Sequence, residues 1–189
     1  FRFEHDALGR LVELVDEVGN RSVRFGFSDN GDLQSVDVIA PDAPRYETDY
    51  EYVGPDGGLY LAHNITQVID SSGVTAMDIK YGDQHGSTSY NKVVAQRVGA
   101  GEFRYDYPEK SDDLAYLDNP IDPGLDPDNI PFSSIVVTDP RGRAVESLMN
   151  WQGNVVVERE TVRGASGQLE VYELRRRYTD GDIDEMLAP

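Results

Sequence analysis

The chain contains no cysteine among its 189 residues. Disulfide staples, thiolate zinc sites and cysteine nucleophiles are thereby excluded. Basic residues are scarce: 17 Lys+Arg stand against 35 Asp+Glu, for a formal net charge of -18 at pH 7. Nucleic-acid binding needs clustered positive charge, so nucleic acid is not an expected partner, and neither is an anionic membrane surface. No apolar run approaches the ~18 residues of a membrane-spanning helix, so membrane insertion is not expected. No basic segment followed by an apolar one opens the chain, so no secretion signal is visible. The sequence starts at Phe1 directly on a strand-like alternation, Phe1-Arg-Phe3, which reads as part of a longer polypeptide or a processed product. Helical periodicity is also lacking; even the acidic stretch 102–116 carries Pro108 and no apolar stripe at 3.6 spacing.

What is present is period-2 alternation. Val23, Phe25 and Phe27 alternate with Arg24 and Gly26; Tyr46, Thr48, Tyr50 and Tyr52 with Glu47, Asp49 and Glu51. The same pattern returns at Met77–Tyr81, Phe103–Tyr107 and Tyr172–Tyr178. Alternate side chains of a strand point to opposite faces, so each segment has one apolar and one wet face, the signature of antiparallel sheet. Between these segments lie Asp-x-x-Gly turns. The first pair is Asp6/Gly9 and Asp16/Gly19, followed by degraded copies at Asp29/Gly31, Asp70/Gly73, Asp83/Gly86 and Asp139/Gly142, with Gly153 closing another. Glycine supplies the positive φ of short hairpin loops, and an Asp at the turn start accepts backbone amides two residues on. One hairpin unit copied along a chain predicts an all-β scaffold, a single domain over 1–189.

Residues 111–132 break the rhythm with prolines at 120, 123, 127 and 131 and no periodicity, predicting an irregular acidic insertion between a block over 1–110 and a block over 133–189. Residues 180–189 read as a frayed acidic tail. Within the insertion, Asp118, Asp122, Asp126 and Asp128, with Asn119 and Asn129, offer oxygen ligands of the kind calcium takes. Their order does not match the calcium loop of an EF-hand, and a solvated acidic loop is the preferred reading.

No catalytic motif stands out. His5, His63 and His85 lack metal-ligand spacing and are read as structural. No Gly-x-Ser-x-Gly elbow occurs, and Gly54-Pro-Asp-Gly57-Gly58 lacks the Lys and following helix of a phosphate loop, so it is read as a hairpin loop. No enzyme activity and no cofactor are expected. Eleven Tyr, six Phe and one Trp are read chiefly as core and cross-strand packing. A carbohydrate-binding platform that includes Trp151 is the alternative.

The stretch Phe3-Glu-His5-Asp6-Ala-Leu-Gly9-Arg10-Leu11, followed by Asp16-Glu-Val-Gly19-Asn20, resembles the YD repeat of Rhs proteins, with His5 where that family usually has Tyr. Phe27-Ser-Asp29-Asn-Gly31-Asp-Leu33 resembles it with one residue inserted and another missing. Thr138-Asp139-Pro-Arg-Gly142-Arg143-Ala144 and Asn150-Trp-Gln-Gly153-Asn154 keep its spacing, and Tyr105-Asp106 keeps its dipeptide. Together these copies cover most of the chain outside 108–132. The resemblance implies long β-strands coiled into a hollow shell that encloses a toxin or displays an adhesive surface, with no cofactor, in a secreted or bacterial cell-surface setting. Family shells are several times longer, so 189 residues would form part of a shell, barrel or tube. Asp122-Pro123-Gly124-Leu125 is one residue short of the motif that family shells carry near a self-cleavage site, and it lies mid-chain, so no cleavage chemistry is carried over. The expected partners are proteins: the rest of such a shell, or copies of the chain stacked head-to-tail by strand addition into a filament.

Overall fold

The computed structural model describes residues 1–54, 61–108, 127–163, 167–179 and 182–187. It is all-β. The strands are β1 (Arg2–His5), β2 (Leu11–Asp16), β3 (Arg21–Phe27), β4 (Leu33–Ile39), β5 (Tyr46–Tyr52), β6 (Ile65–Ile69), β7 (Thr75–Tyr81), β8 (Val93–Val98), β9 (Gly101–Asp106), β10 (Ser133–Thr138), β11 (Ala144–Met149), β12 (Val155–Arg163), β13 (Leu169–Thr179) and β14 (Asp182–Leu187). They form one antiparallel sheet in chain order, with β1 and β14 having a single neighbour each, so the hairpin array does not close into a barrel. Two compact units divide the chain: Phe1–Asp83 with Gln96–Ala100, and Gln84–Ala95 with Gly101–Pro189. The division runs through β8, not through the insertion at 111–132.

One five-residue turn recurs at 6–10, 28–32, 70–74, 139–143 and 150–154. In each, the first residue donates its N–H to the fifth carbonyl over 2.8–3.0 Å, and the fourth donates back to the first carbonyl over 2.9–3.0 Å. The fourth residue is Gly9, Gly31, Gly73, Gly142 or Gly153, at φ between 77 and 92°. That left-handed conformation is what a three-residue hairpin loop with a glycine bulge demands, and glycine adopts it without steric cost. The side chain of the first residue then accepts the amides the turn leaves over. Asp6 Oδ1 takes Leu8 and Arg10 at 2.9 Å, Asp70 Oδ1 takes Ser72 at 2.9 and Val74 at 3.1 Å, and Asp139 Oδ1 takes Arg141 at 2.8 and Arg143 at 2.9 Å. Asn150 Oδ1 does the same for Gln152 and Asn154, and Ser28 Oγ accepts the Asp32 amide at 3.1 Å.

This corrects two sequence readings. The key residue of the second copy is Ser28, not Asp29, so the insertion and deletion inferred there vanish and Gly31 falls in register as the fourth residue. Asp16 and Gly19 belong to a different device, a four-residue loop closed by the Asp16–Arg21 pair, in which the positive φ falls on Asn20 at 48°. There Asp16 Oδ1 accepts the Gly19 amide at 3.0 Å and Oδ2 accepts Arg21 Nη2 at 2.7 Å.

A second device locks the far side of the hairpins. Four tyrosines within one residue of strand C-termini donate their hydroxyls to the first carbonyl of the preceding strand: Tyr52 to Leu33 at 2.8 Å, Tyr81 to Ile65 at 3.0 Å, Tyr107 to Val93 at 2.9 Å and Tyr178 to Val155 at 3.1 Å. Leu33, Ile65 and Val155 sit at register shifts, where a bulge takes backbone groups out of the ladder. The hydroxyl supplies the partner that the bulge removes. Burial pushes the hydroxyls of Tyr52, Tyr81 and Tyr107 above their ordinary pKa, which keeps them protonated donors. At the equivalent end of β3 stands Phe27, which has no hydroxyl; the Arg10 guanidinium lies 4.6 Å over its ring instead.

In the first unit the registers place Phe3, Leu14, Val23, Val38 and Tyr46 in one row across β1–β5, with Phe25, Val36 and Thr48 beside it and Tyr50, Val68 and Met77 farther along. The opposite face carries Glu4, Glu13, Arg24, Asp37 and Glu47. There Arg24 Nε donates to Glu13 at 2.9 Å, and Arg45 grips Asp37 through two bonds of 2.8 and 2.7 Å. Among the described residues of this unit Leu61 is the one buried hydrophobic, while Phe3, Val38 and Tyr46 of the apolar row stay exposed. The second unit holds the denser core: Leu148, Val156, Val157 and Tyr178. Its β11–β13 ladder carries Glu146, Arg159 and Glu173 opposite one another, with Arg159 Nε 2.7 Å from Glu173.

The acidic tail expected at 180–189 is a correction as well, because Asp182–Leu187 forms β14 and pairs with β13 from Thr179↔Asp182 to Arg175↔Leu187. The register runs this acidic strand alongside the basic run Arg175-Arg176-Arg177, and opposite charges across a ladder favour pairing.

The carboxylates of Asp6 and Asp70 are held below their ordinary pKa. For Asp6 the leading cause is the Arg10 amide and then the Arg10 guanidinium; for Asp70 it is the Ser72 hydroxyl and then the Ser72 and Val74 amides. A folded-state pKa below the unfolded one means that the unfolded chain binds protons first as pH falls. The contribution is complete above the ordinary value of about 3.9 and disappears as pH drops through the depressed folded value. Asp70→Asn keeps the acceptor oxygen, as Asn150 does naturally, but cannot titrate. Wild type is therefore expected to melt above Asp70→Asn at pH 7, and the gap is expected to narrow from pH 4 to pH 2.5 in a thermal-melt series. A gap that stays constant or widens in acid contradicts this linkage.

Candidate functional site

A concavity of the first unit lies where the 28–32 turn meets the C-terminal end of β5. Tyr52 reaches Leu33 by its hydroxyl bond, and Ser28 holds the Asp32 amide, so the turn and the strand end are fixed against each other. The third wall is His63. It sits at φ 71°, in a turn closed by the Asn64 amide on the Leu61 carbonyl at 3.1 Å. Its Nδ1 lies 2.6 Å from Asp32 Oδ1. A carboxylate can only accept, so Nδ1 carries the proton in this contact. A left-handed φ at a residue with a Cβ costs backbone energy, and here it aims the ring at the turn. These groups line a cavity of about 680 Å³ together with Asn30, Gln34, Tyr50 and Glu51. Among the described residues two carboxylates line it and no Lys or Arg does.

In the second unit a strap of 3-10 turn, Pro127–Asn129, is stitched to the sheet. Asn129 Oδ1 accepts the Tyr178 amide at 2.7 Å and Nδ2 donates to the Tyr178 carbonyl at 3.1 Å. The residue pairs of β12 with β13 run from Leu169 to Arg175, so at Tyr178 the amide of Asn129 stands in for a strand partner. Asn150, 1% exposed, donates Nδ2 to the Asp128 carbonyl at 2.7 Å, and Trp151 Nε1 reaches Asp128 Oδ1 at 3.2 Å.

The sequence candidates fall as follows. Asp6, Gly9, Asp70, Gly73, Asp139, Gly142, Gly31 and Gly153 all serve the recurrent turn. Asp118, Asp122 and Asp126 lie outside the described residues, as do residues 55–58 of the glycine-rich loop. Asp128 is engaged by Trp151, and among the described residues no group of three or more His, Cys, Asp or Glu is gathered to hold a metal ion. Trp151 keeps an exposed ring, but its N–H is turned to Asp128. The cavity of the first unit was not apparent from sequence, because its walls come from three separated stretches. A positive-φ His among turn residues gives no periodic signal; the recurrence of Tyr at strand ends was the available clue to Tyr52.

No protein-family model matches the chain, and no curated protein matches it.

Asn150 makes three side-chain hydrogen bonds, as Asp6 and Asp70 do, but is almost fully buried. Replacing it by Ala orphans the Gln152 and Asn154 amides and the Asp128 carbonyl, with an expected cost of about 2–4 kcal/mol. Asn150→Asp is expected to destabilise too, since a carboxylate cannot donate to that carbonyl. Urea unfolding of the full chain measures both, and a change below about 0.5 kcal/mol for Asn150→Ala contradicts the role given to this residue.

Proposed function

We propose that this chain is a non-catalytic β-scaffold: a segment of a shell of the Rhs/YD kind, enclosing or displaying another protein in a secreted or bacterial cell-surface setting. The observation that carries the reading is the single hairpin device repeated five times, from Asp6 to Asn154, in a sheet whose first unit keeps an apolar row unburied. A sheet with one apolar and one charged face is stable when the apolar face looks onto further protein. Repetition of one turn serves architecture, since each hairpin contacts its neighbours and little else.

A second reading rests on the sheet order. β1 and β14 each have one neighbour and so present a row of amides and carbonyls, the template for head-to-tail strand addition into a filament.

Negative-stain microscopy with size-exclusion light scattering separates the two. The shell-segment reading expects monomers or discrete particles at micromolar concentration. Micrometre-long fibres would overturn it in favour of the filament.

A further inference from the structure

We propose that the cavity between the 28–32 turn and the end of β5 is a binding site for a neutral saccharide. This stands apart from the scaffold reading, which needs no small ligand.

The volume of about 680 Å³ lies within the range of small-ligand sites and suits a few sugar rings. The lining chemistry narrows the ligand. Among the described lining residues Asp32 and Glu51 are acidic and none is Lys or Arg, a balance that disfavours phosphates, sulfates and carboxylates. Tyr50 and Tyr52 are among the lining residues, and aromatic side chains suit the C–H faces of a pyranose. The side chains of Asn30, Gln34 and Glu51 make no hydrogen bond or ion pair among the described residues, and the first two end in amides. Amides offer donors and acceptors together, as vicinal hydroxyls do, whereas a cationic ligand would use the acceptors alone.

The site is also preorganised. Tyr52 is tied to Leu33, the turn to Ser28, and His63 to Asp32 at 2.6 Å, so three walls keep their geometry without a ligand. The positive φ of His63 places its ring there, and residues held in sparsely populated conformations cluster at binding sites. Preorganisation removes ordering cost from binding.

The test begins with a glycan array that carries neutral, sialylated and sulfated glycans, probed with the full chain. Calorimetry follows with the best neutral oligosaccharide and, in parallel, with trilysine. The proposal expects saturable binding of a neutral glycan, about tenfold weaker binding by Gln34→Ala, and unchanged binding by Trp151→Ala. Gln34 is exposed on β4, so its truncation should leave the melting temperature in place. An array with no neutral hit, tighter binding of sulfated glycans or trilysine, or full affinity in Gln34→Ala would overturn it. Loss of binding in Trp151→Ala with Gln34→Ala unaffected would place sugar recognition at Trp151 and overturn the assignment to this cavity. None of these outcomes depends on whether the chain forms particles or fibres.

Discussion

One side-chain oxygen accepting two backbone amides is the interaction on which the sheet depends. A three-residue hairpin loop fixes register only if its backbone closes in a single way. In the turns opened by Asp6, Asp70, Asp139 and Asn150 the closure is set by an oxygen that takes the third and fifth amides, and the glycine at the fourth position accepts the left-handed φ. Because strand side chains alternate, a slip of one residue at any of these turns would send one face of a strand it joins to the opposite side of the sheet. The turn therefore decides which face of the sheet is apolar.

The tyrosine hydroxyls extend this control. Each bulge next to a turn costs the ladder a carbonyl, and Tyr52, Tyr81 and Tyr178 return a donor to it across the next strand. Turn and tyrosine thus clasp three consecutive strands, and a sheet so clasped needs little buried core. That fits the first unit, where Leu61 is the one buried hydrophobic among the described residues and the apolar row remains open. Local hydrogen bonds here take a share of the task that hydrophobic burial takes in a two-layer domain. The same clasp shapes the cavity, whose walls are one of these turns, one of these tyrosines and a histidine strained toward both.

Much of the sheet was legible in the sequence because period-2 alternation and glycine turns are local signals. Val23–Phe27, Tyr46–Tyr52 and Met77–Tyr81 became β3, β5 and β7 along the stretches that the alternation marks. Ser28 was hidden because the turn needs one acceptor oxygen, which a hydroxyl supplies as well as a carboxylate, while Asp29 drew the eye by identity. β14 was hidden because an acidic run reads as a solvated tail until the basic strand beside it is known. The tyrosine contacts were illegible for another reason: an alternating Tyr looks like core filling, and its hydroxyl partner is fixed only by the register of a bulge one strand away. The cavity brings together residues 28–34, 50–54 and 62–63, a long-range coincidence that no local pattern announces.

The central claim is that the turn side chains hold the hairpin register. Native-state hydrogen exchange, read amide by amide, measures it most directly at the fifth turn positions, Arg10, Asp32, Val74, Arg143 and Asn154. The account predicts protection comparable to that of the flanking strand residues, lost at Val74 when Asp70 is replaced by Ala and retained when it is replaced by Asn. Exchange of these amides at the rate of an unstructured peptide, or protection at Val74 that survives Asp70→Ala, would contradict it.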